Sequence, residues 1–492
     1  MSVIQPRLAL RKTQGSGFIL LAATIGLLVG ILSAKDPPIA VGVCLAAVAV
    51  PAAILKPKLV LYGLTVTVLT EFLTVGGVTI GRLAAPLALI ALIAELGQAS
   101  ARLREGGLIL AFATGYTLLA VASLFWTRSP IGTLTQLASL GIALVYAAAF
   151  AVLIRSERDL RIIFAILTAG ALVLGLYWIG SFAFGVARSA NSAGDPNFFA
   201  ADQVVVMPIL LVLGSWTKSN GWRALLMLAA ALVAASVVAS LSRSGSLTLA
   251  LGGLLVVLLP GPMLFRTRAR KATFIVVAGI ALAVIISVAG PALDQRFKSG
   301  LDATQVGGRR ADLWLGAASA YTRNPVLGIG YGAFKPTMFQ WLIGTPGVRL
   351  NLFDPNTLRS GQPVHNDYLE SMTELGPFGL FLFLGVIWTT GLSFVRTARK
   401  AKRLGDQFIR GASTALMIGL VTFATGSFFL PTETSRTLWM FVGLSLALPE
   451  VLLAKHEVKA MGGTPQAPDV GGPRLDAPML RLATHVGPAS AS

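Results

Sequence analysis

The chain has 492 residues, 55% hydrophobic and only 12% charged, with a mean hydropathy of +0.75; soluble domains carry about a quarter charged residues, so an ordinary soluble enzyme is excluded. The single cysteine, Cys44, excludes an intrachain disulfide framework and a cysteine-based metal cluster. A net charge of +19 would suggest a nucleic-acid ligand in a soluble protein, but in a membrane protein the basic residues must first be sorted by side.

A spanning helix needs about 20 apolar residues. The sequence offers candidate runs at 18–34, 39–55, 59–75, 78–96, 108–126, 134–154, 162–184, 198–216, 222–241, 247–265 and 272–289, then at 375–395, 408–430 and 438–453. None alternates with period two, and backbone groups in hydrocarbon must be satisfied within each segment, so the runs read as helices and not barrel strands. The expectation is an all-α polytopic membrane protein with about 14 transmembrane helices (12–14).

With Arg7, Arg11 and Lys12 in the cytoplasm, the inside gaps hold clusters such as Arg155/Arg158/Arg161 and Arg266/Arg268/Arg270/Lys271. Each short outside gap holds a single basic residue: Lys35, Arg82, Arg128, Arg188, Arg243 or Arg436. This asymmetry, repeated at every crossing, puts both termini in the cytoplasm. The predicted organisation is a cytoplasmic N-terminus (1–17), a membrane domain of eleven helices (18–290), a periplasmic loop domain (291–374), three further membrane helices (375–454) and a disordered cytoplasmic tail (455–492). The tail is assigned on its aperiodic Gly, Pro and Ala content.

The loop of about 80 residues is too long for a plain connector and should fold over the helix bundle. Residues 310–322 have helical character, Gly328, Gly330 and Gly332 break it, and 334–342 predicts a second short helix. From His365, Tyr368, Leu369, Met372 and Leu375 fall at helical spacing while Asn366, Glu370 and Glu374 face away, which predicts an amphipathic helix entering the next span.

The outside face is unusual in its arginines. Arg243 heads a span in SRSG, and Arg309 and Arg310 follow two glycines in GGRRADLW. Guanidinium forks suit phosphate bidentately, and a lipid diphosphate head group would sit at this depth. A single loop arginine such as Arg82, Arg128, Arg188 or Arg436 more commonly snorkels to water. His365 is the one histidine predicted outside, since His456 and His485 fall in the tail. Imidazole takes up protons near neutrality, so His365 is the candidate base for an acceptor hydroxyl, with Asp367 or Glu370 as orienting carboxylates; a helix-start histidine bonded locally is the alternative. Asp195-Pro196-Asn197 reads as a helix cap with proline at the first position, or as a polar rim to the site. Glu71 and Glu95 lie within predicted spans, as interhelical partners or on a proton path.

There is no Walker A sequence, HExxH or paired cysteine, and the Gly-x-Gly-x-Gly at 328–332 lacks the strand and helix of a nucleotide fingerprint. The outside acids contain no Asp-x-Asp pair, so no metal or other cofactor is expected and charge neutralisation falls to arginine. No nucleic-acid partner is expected.

Three stretches, SRSGSLTLALGGLLVVLL from Ser242, GGRRADLWLGAASAYTRNPVLGIGYGAF from Gly307 and HNDYLESMTELGPFGLFLFL from His365, resemble the O-antigen ligase and polymerase family in content, order and spacing. DPNFFA from Asp195 is similar to a turn often seen ahead of them. The resemblance implies a fold like the C-type glycosyltransferases. It also implies an inverting, metal-independent transfer of a glycan from undecaprenyl diphosphate to an acceptor hydroxyl on a lipid A core, a glycan repeat or a protein. Position by position, it makes Arg243 and Arg310 the diphosphate ligands, with Arg309 a substitute, and His365 the catalytic base; Asp195, Asn197, Asn366 and Glu370 would line the substrate. Fourteen spans exceed the family's usual dozen or so. The implied setting is the bacterial inner membrane with the site facing the periplasm, in lipopolysaccharide or exopolysaccharide assembly. Two rival readings are a flippase for the same lipid-linked sugar and a scaffold within a polysaccharide-assembly complex.

Overall fold

A computed structural model describes residues 49–71, 74–75, 78–95, 106–185, 195–217, 219–259, 267–301 and 309–460. The first predicted run and most of the second lie outside the described residues, as do Arg188 and the tail beyond Ala460. The others each fall on a helix, and the starts follow local chemistry. Ser129, Ser156, Asp195, Ser219, Ser242, Asn366 and Asp406 each accept a hydrogen bond from a first-turn N–H. This satisfies a donor that a helix N-terminus otherwise leaves unpaired.

In chain order the helices are α1 (Ala49–Leu55), α2 (Pro57–Val68), α3 (Ile80–Ala94), α4 (Gly107–Ala122), α5 (Pro130–Leu153), α6 (Glu157–Ala183), α7 (Pro196–Trp216) and α8 (Asn220–Ala239). There follow α9 (Arg243–Leu258), α10 (Arg268–Leu301), α11 (Arg309–Arg323), α12 (Phe334–Leu342), α13 (Pro355–Ser360), α14 (Asp367–Arg403), α15 (Gln407–Gly426) and α16 (Arg436–Ala460). A two-residue ladder, Thr74–Val75 with Val78–Thr79, precedes α3. Among the described residues eight helices are long and apolar enough to cross a membrane, or nine if α1 and α2, bent by 116°, form one broken span. Two predicted spans are shorter apolar helices, α3 and α9, and α10 continues through position 291, where the sequence places the start of the loop domain.

The centre of the bundle is built from α7, α15 and α16. Small residues let the helices approach closely: a Cβ at Gly443 would meet Ala147 and Phe150 of α5, and one at Gly385 of α14 would overlap Phe112 of α4. One end of the bundle is held by ionic contacts: Lys58 with Asp159 at 2.8 Å, Arg155 with Glu95, and Lys455 with Glu157 and Asp406 at 2.6 Å each.

The other end carries a helical cap with its own core of Leu313, Phe334, Met338, Phe353 and Val364. Its GIGYG segment lies on a kink in α14, where Gly376 has φ 68°. A Cβ at Gly376 would overlap the Val326 carbonyl, and one at Gly328 would overlap Glu374. The glycines first read as helix breakers therefore permit main-chain contact that no side chain would allow. The N–H of Ile329 donates to Thr373 O at 3.0 Å and that of Gly330 to Glu374 O at 2.9 Å.

Candidate active site

Several of the residues singled out from sequence are linked. Asp195 caps α7, accepting from the Asn197 N–H at 2.6 Å, and the Asn197 side-chain oxygen accepts from Ser242 Oγ at 2.8 Å. Ser242 in turn caps α9, whose first residue is Arg243. The Asp-Pro-Asn turn and the SRSG motif are thus joined into one double helix head, and Arg243 projects from it half-buried. The cap reading of the turn holds, and Asp195 also lies within electrostatic reach of His365.

Arg309 and Arg310 open α11. Arg309 turns towards the cap itself, 3.9 Å from Asp354 and 5.9 Å from the centre of the Phe353 ring. Arg310, one turn before Trp314, acts on His365 more strongly than Arg309 does. Burial of the imidazole, the Arg310 guanidinium and, more weakly, Arg309 pull His365 down to about 4, with Asp195 opposing. The ring is neutral at pH 7, and its buried Nδ1 has no hydrogen-bond partner among the described residues.

The backbone fixes this imidazole from both sides. His365 itself has φ 57°, left-handed for a side-chain-bearing residue, a conformation that persists only when its surroundings over-determine it. Before it, Val364 is fully buried in the cap core. After it, Asn366 caps α14 by accepting from the N–H groups of Tyr368 and Leu369, both at 3.1 Å. Asp367 donates its N–H to Ser427 O at 2.9 Å and accepts from Thr432 N at 2.7 Å and Thr432 Oγ1 at 2.5 Å. Asp367 therefore fastens the His365 segment to the turn between α15 and α16; it is fully buried.

Asn366, Glu370 and Glu374 do not face away, contrary to the amphipathic reading; all three are buried. The cause is polar: Glu374 accepts from the N–H groups of Gly332 at 2.6 Å and Phe334 at 2.9 Å, so this side of α14 carries the cap and not water. Glu433, a residue the sequence did not single out, is a second buried hub. It accepts from Tyr116 Oη at 2.8 Å and Gln136 Nε2 at 3.0 Å, and burial holds it above the ordinary carboxyl range against those bonds.

Arg436 also departs from expectation. It does not snorkel but is 6% exposed. Its main-chain N–H donates to Glu71 at 2.6 Å, and its guanidinium donates to Thr67 O at 3.1 Å and Thr79 Oγ1 at 2.6 Å. Glu71 and Glu95, paired with Arg436 and Arg155, take the interhelical role.

Replacing Asp367 by alanine leaves the buried Thr432 N–H unpaired, which costs about 1–3 kcal/mol for such a group. The expected result is a lowered thermal midpoint in detergent, larger for Asp367→Ala than for Asp367→Asn, whose amide oxygen still accepts from Thr432 N. Equal midpoints for both variants and the parent would refute this attachment.

The candidate site is thus a pair of helix heads joined through Asn197 and Ser242, with Arg310, Arg309 and Asp195 acting on His365, in a helical membrane bundle. Residues 227–384 match the family described as O-Antigen ligase, which bears out the resemblance read from the motifs. It is also 26% identical over 295 residues to the exopolysaccharide production protein ExoQ of Rhizobium meliloti (strain 1021). The match covers 56% of this chain and 62% of that relative.

Proposed function

We propose that the protein transfers a glycan from undecaprenyl diphosphate to an acceptor hydroxyl in cell-surface polysaccharide biosynthesis, as a ligase or polymerase. What supports this reading is that Arg310, Asp195 and Arg309 all lie within electrostatic reach of His365 and that Asp195 is joined through Asn197 and Ser242 to the helix that Arg243 heads. The acceptor oxygen attacks the sugar C1 from the face opposite the phosphate, the C1–O bond breaks with inversion, and the hydroxyl proton passes to His365. The lipid diphosphate leaves with its developing charge held by Arg243 and Arg310. Two fixed guanidinium groups supply the positive charge that such a transfer requires, without a metal.

Depressed to about 4, His365 is a poor match for a base working near neutrality. A bound diphosphate supplies negative charge beside Arg310 and Arg309, offsets their effect on the imidazole and raises its proton affinity. Donor binding thereby prepares the base. In this reading residues 291–374 form the periplasmic cap, both termini are cytoplasmic, and the bacterial inner membrane holds the bundle.

Purified protein supplied with an undecaprenyl-diphosphate glycan and an acceptor should release undecaprenyl diphosphate in step with glycosylated acceptor. Movement of the lipid-linked sugar across liposomes with no release would overturn the transferase reading in favour of a flippase.

A further inference from the structure

We propose that the cleft between α4, α14 and α16, at the end of the bundle remote from His365, binds the phosphate head group of an anionic phospholipid. The cleft has a volume of about 260 Å³ and is lined on α14 by Arg396, Thr397 and Lys400, with Leu392 deeper and Leu108 and Ile109 facing from α4. Arg396 is the first cation after the apolar run 375–395, so the cleft lies where hydrocarbon gives way to water. From the kink at Gly376, Arg396 lies about 30 Å along α14 at 1.5 Å per residue, roughly the hydrocarbon thickness.

The charge here exceeds what the helix needs. A helix C-terminus favours cations within its last turn, which accounts for Lys400, Lys402 and Arg403 but not for Arg396, a full turn earlier and exposed. Of the carboxylates at this end, Asp406 and Glu157 are engaged by Lys455, each at 2.6 Å, Asp159 by Lys58 and Glu95 by Arg155. Glu450, next to the lining residue Pro449, supplies one more against the five cations from Arg396 to Arg403.

The walls are preformed. Pro449 has no N–H for the Ser445 carbonyl one turn back, and Ser393 Oγ donates to that carbonyl at 2.7 Å, fastening α14 to α16 beside the cleft. On the third side α4 begins at Gly107. Its cap residue, Gly106, offers no side chain, and its first turn contains no acid. Main-chain donors of that turn add to the guanidinium, while Leu108, Ile109 and Leu392 give an apolar path for acyl chains. Basic clefts between spans suit phosphodiester head groups, and each nearby cation strengthens binding about fivefold.

The test is titration of the full-length protein in detergent with phosphatidylglycerol, phosphatidylcholine and inorganic phosphate, read by thermal stabilisation and by bound lipid in native mass spectrometry. Phosphatidylglycerol should bind and stabilise. Arg396→Gln should require about fivefold more of it, and Arg396→Gln/Lys400→Gln about 25-fold more. Arg399→Gln, outside the lining, should weaken binding less than Arg396→Gln does. Equal binding of phosphatidylcholine by the parent overturns the proposal even if the double variant fails to fold. So does unchanged lipid dependence in Arg396→Gln. Stabilisation by inorganic phosphate equal to that by phosphatidylglycerol would assign the cleft to a free phosphate and overturn the lipid.

Discussion

His365→Ala should lower undecaprenyl diphosphate release by about 10²–10⁴-fold, the usual contribution of a positioned general base, while the protein still folds. The two halves of this expectation come from different features. The imidazole Nδ1 has no hydrogen-bond partner among the described residues, so removing the ring strands no donor or acceptor. The positive φ at this position is held by Val364 in the cap core and by the Asn366 cap, neither of which the substitution touches. Release is measured with the purified protein under single-turnover conditions, beside its thermal midpoint. A variant that keeps more than about a tenth of the parent rate would remove His365 from the chemistry and leave the arginine cluster as a binding site alone.

The parts of the molecule that are legible in the sequence are those decided locally. A run of apolar residues long enough to span, a serine or aspartate ahead of it and a proline at its first position fix α5 and α7 with no reference to the rest of the chain. The short helix α12 falls on the residues predicted for it, 334–342. What is illegible depends on partners distant in sequence. Arg436 looks like any loop arginine until Glu71, 365 residues away, meets its main chain. Glu374 follows a helical pattern that puts it in water until GIGYG lies across the α14 kink and its N–H groups reach the carboxylate. Helical periodicity reports which face of a helix is apolar; it does not tell a water-facing polar side from one covered by another segment's backbone. The signal that was available was the Gly-Pro pair at 376–377, two residues after Glu374. A break at that point in a span marks a place where the main chain needs outside partners.

Arg310→Gln should lower release by about 10²–10³-fold, the cost of removing one preorganised group from developing negative charge, and should also move the pH dependence. In the free protein the acid limb of kcat/KM reports His365, near pH 4 in the parent. Arg310 disfavours the imidazolium, so its removal raises the proton affinity of the ring and carries the limb to higher pH. Burial, the larger cause, remains in place, so the limb should stop short of the ordinary histidine value of about 6.5. Arg310→Lys separates the two effects. The ammonium keeps the charge and should hold the limb near its parental position, but it lacks the planar fork that grips a phosphate at two points, so the rate still falls. A slow Arg310→Gln enzyme with an unmoved limb would mean that Arg310 grips the donor without governing the base, and the coupling of donor binding to proton uptake would then have no physical carrier.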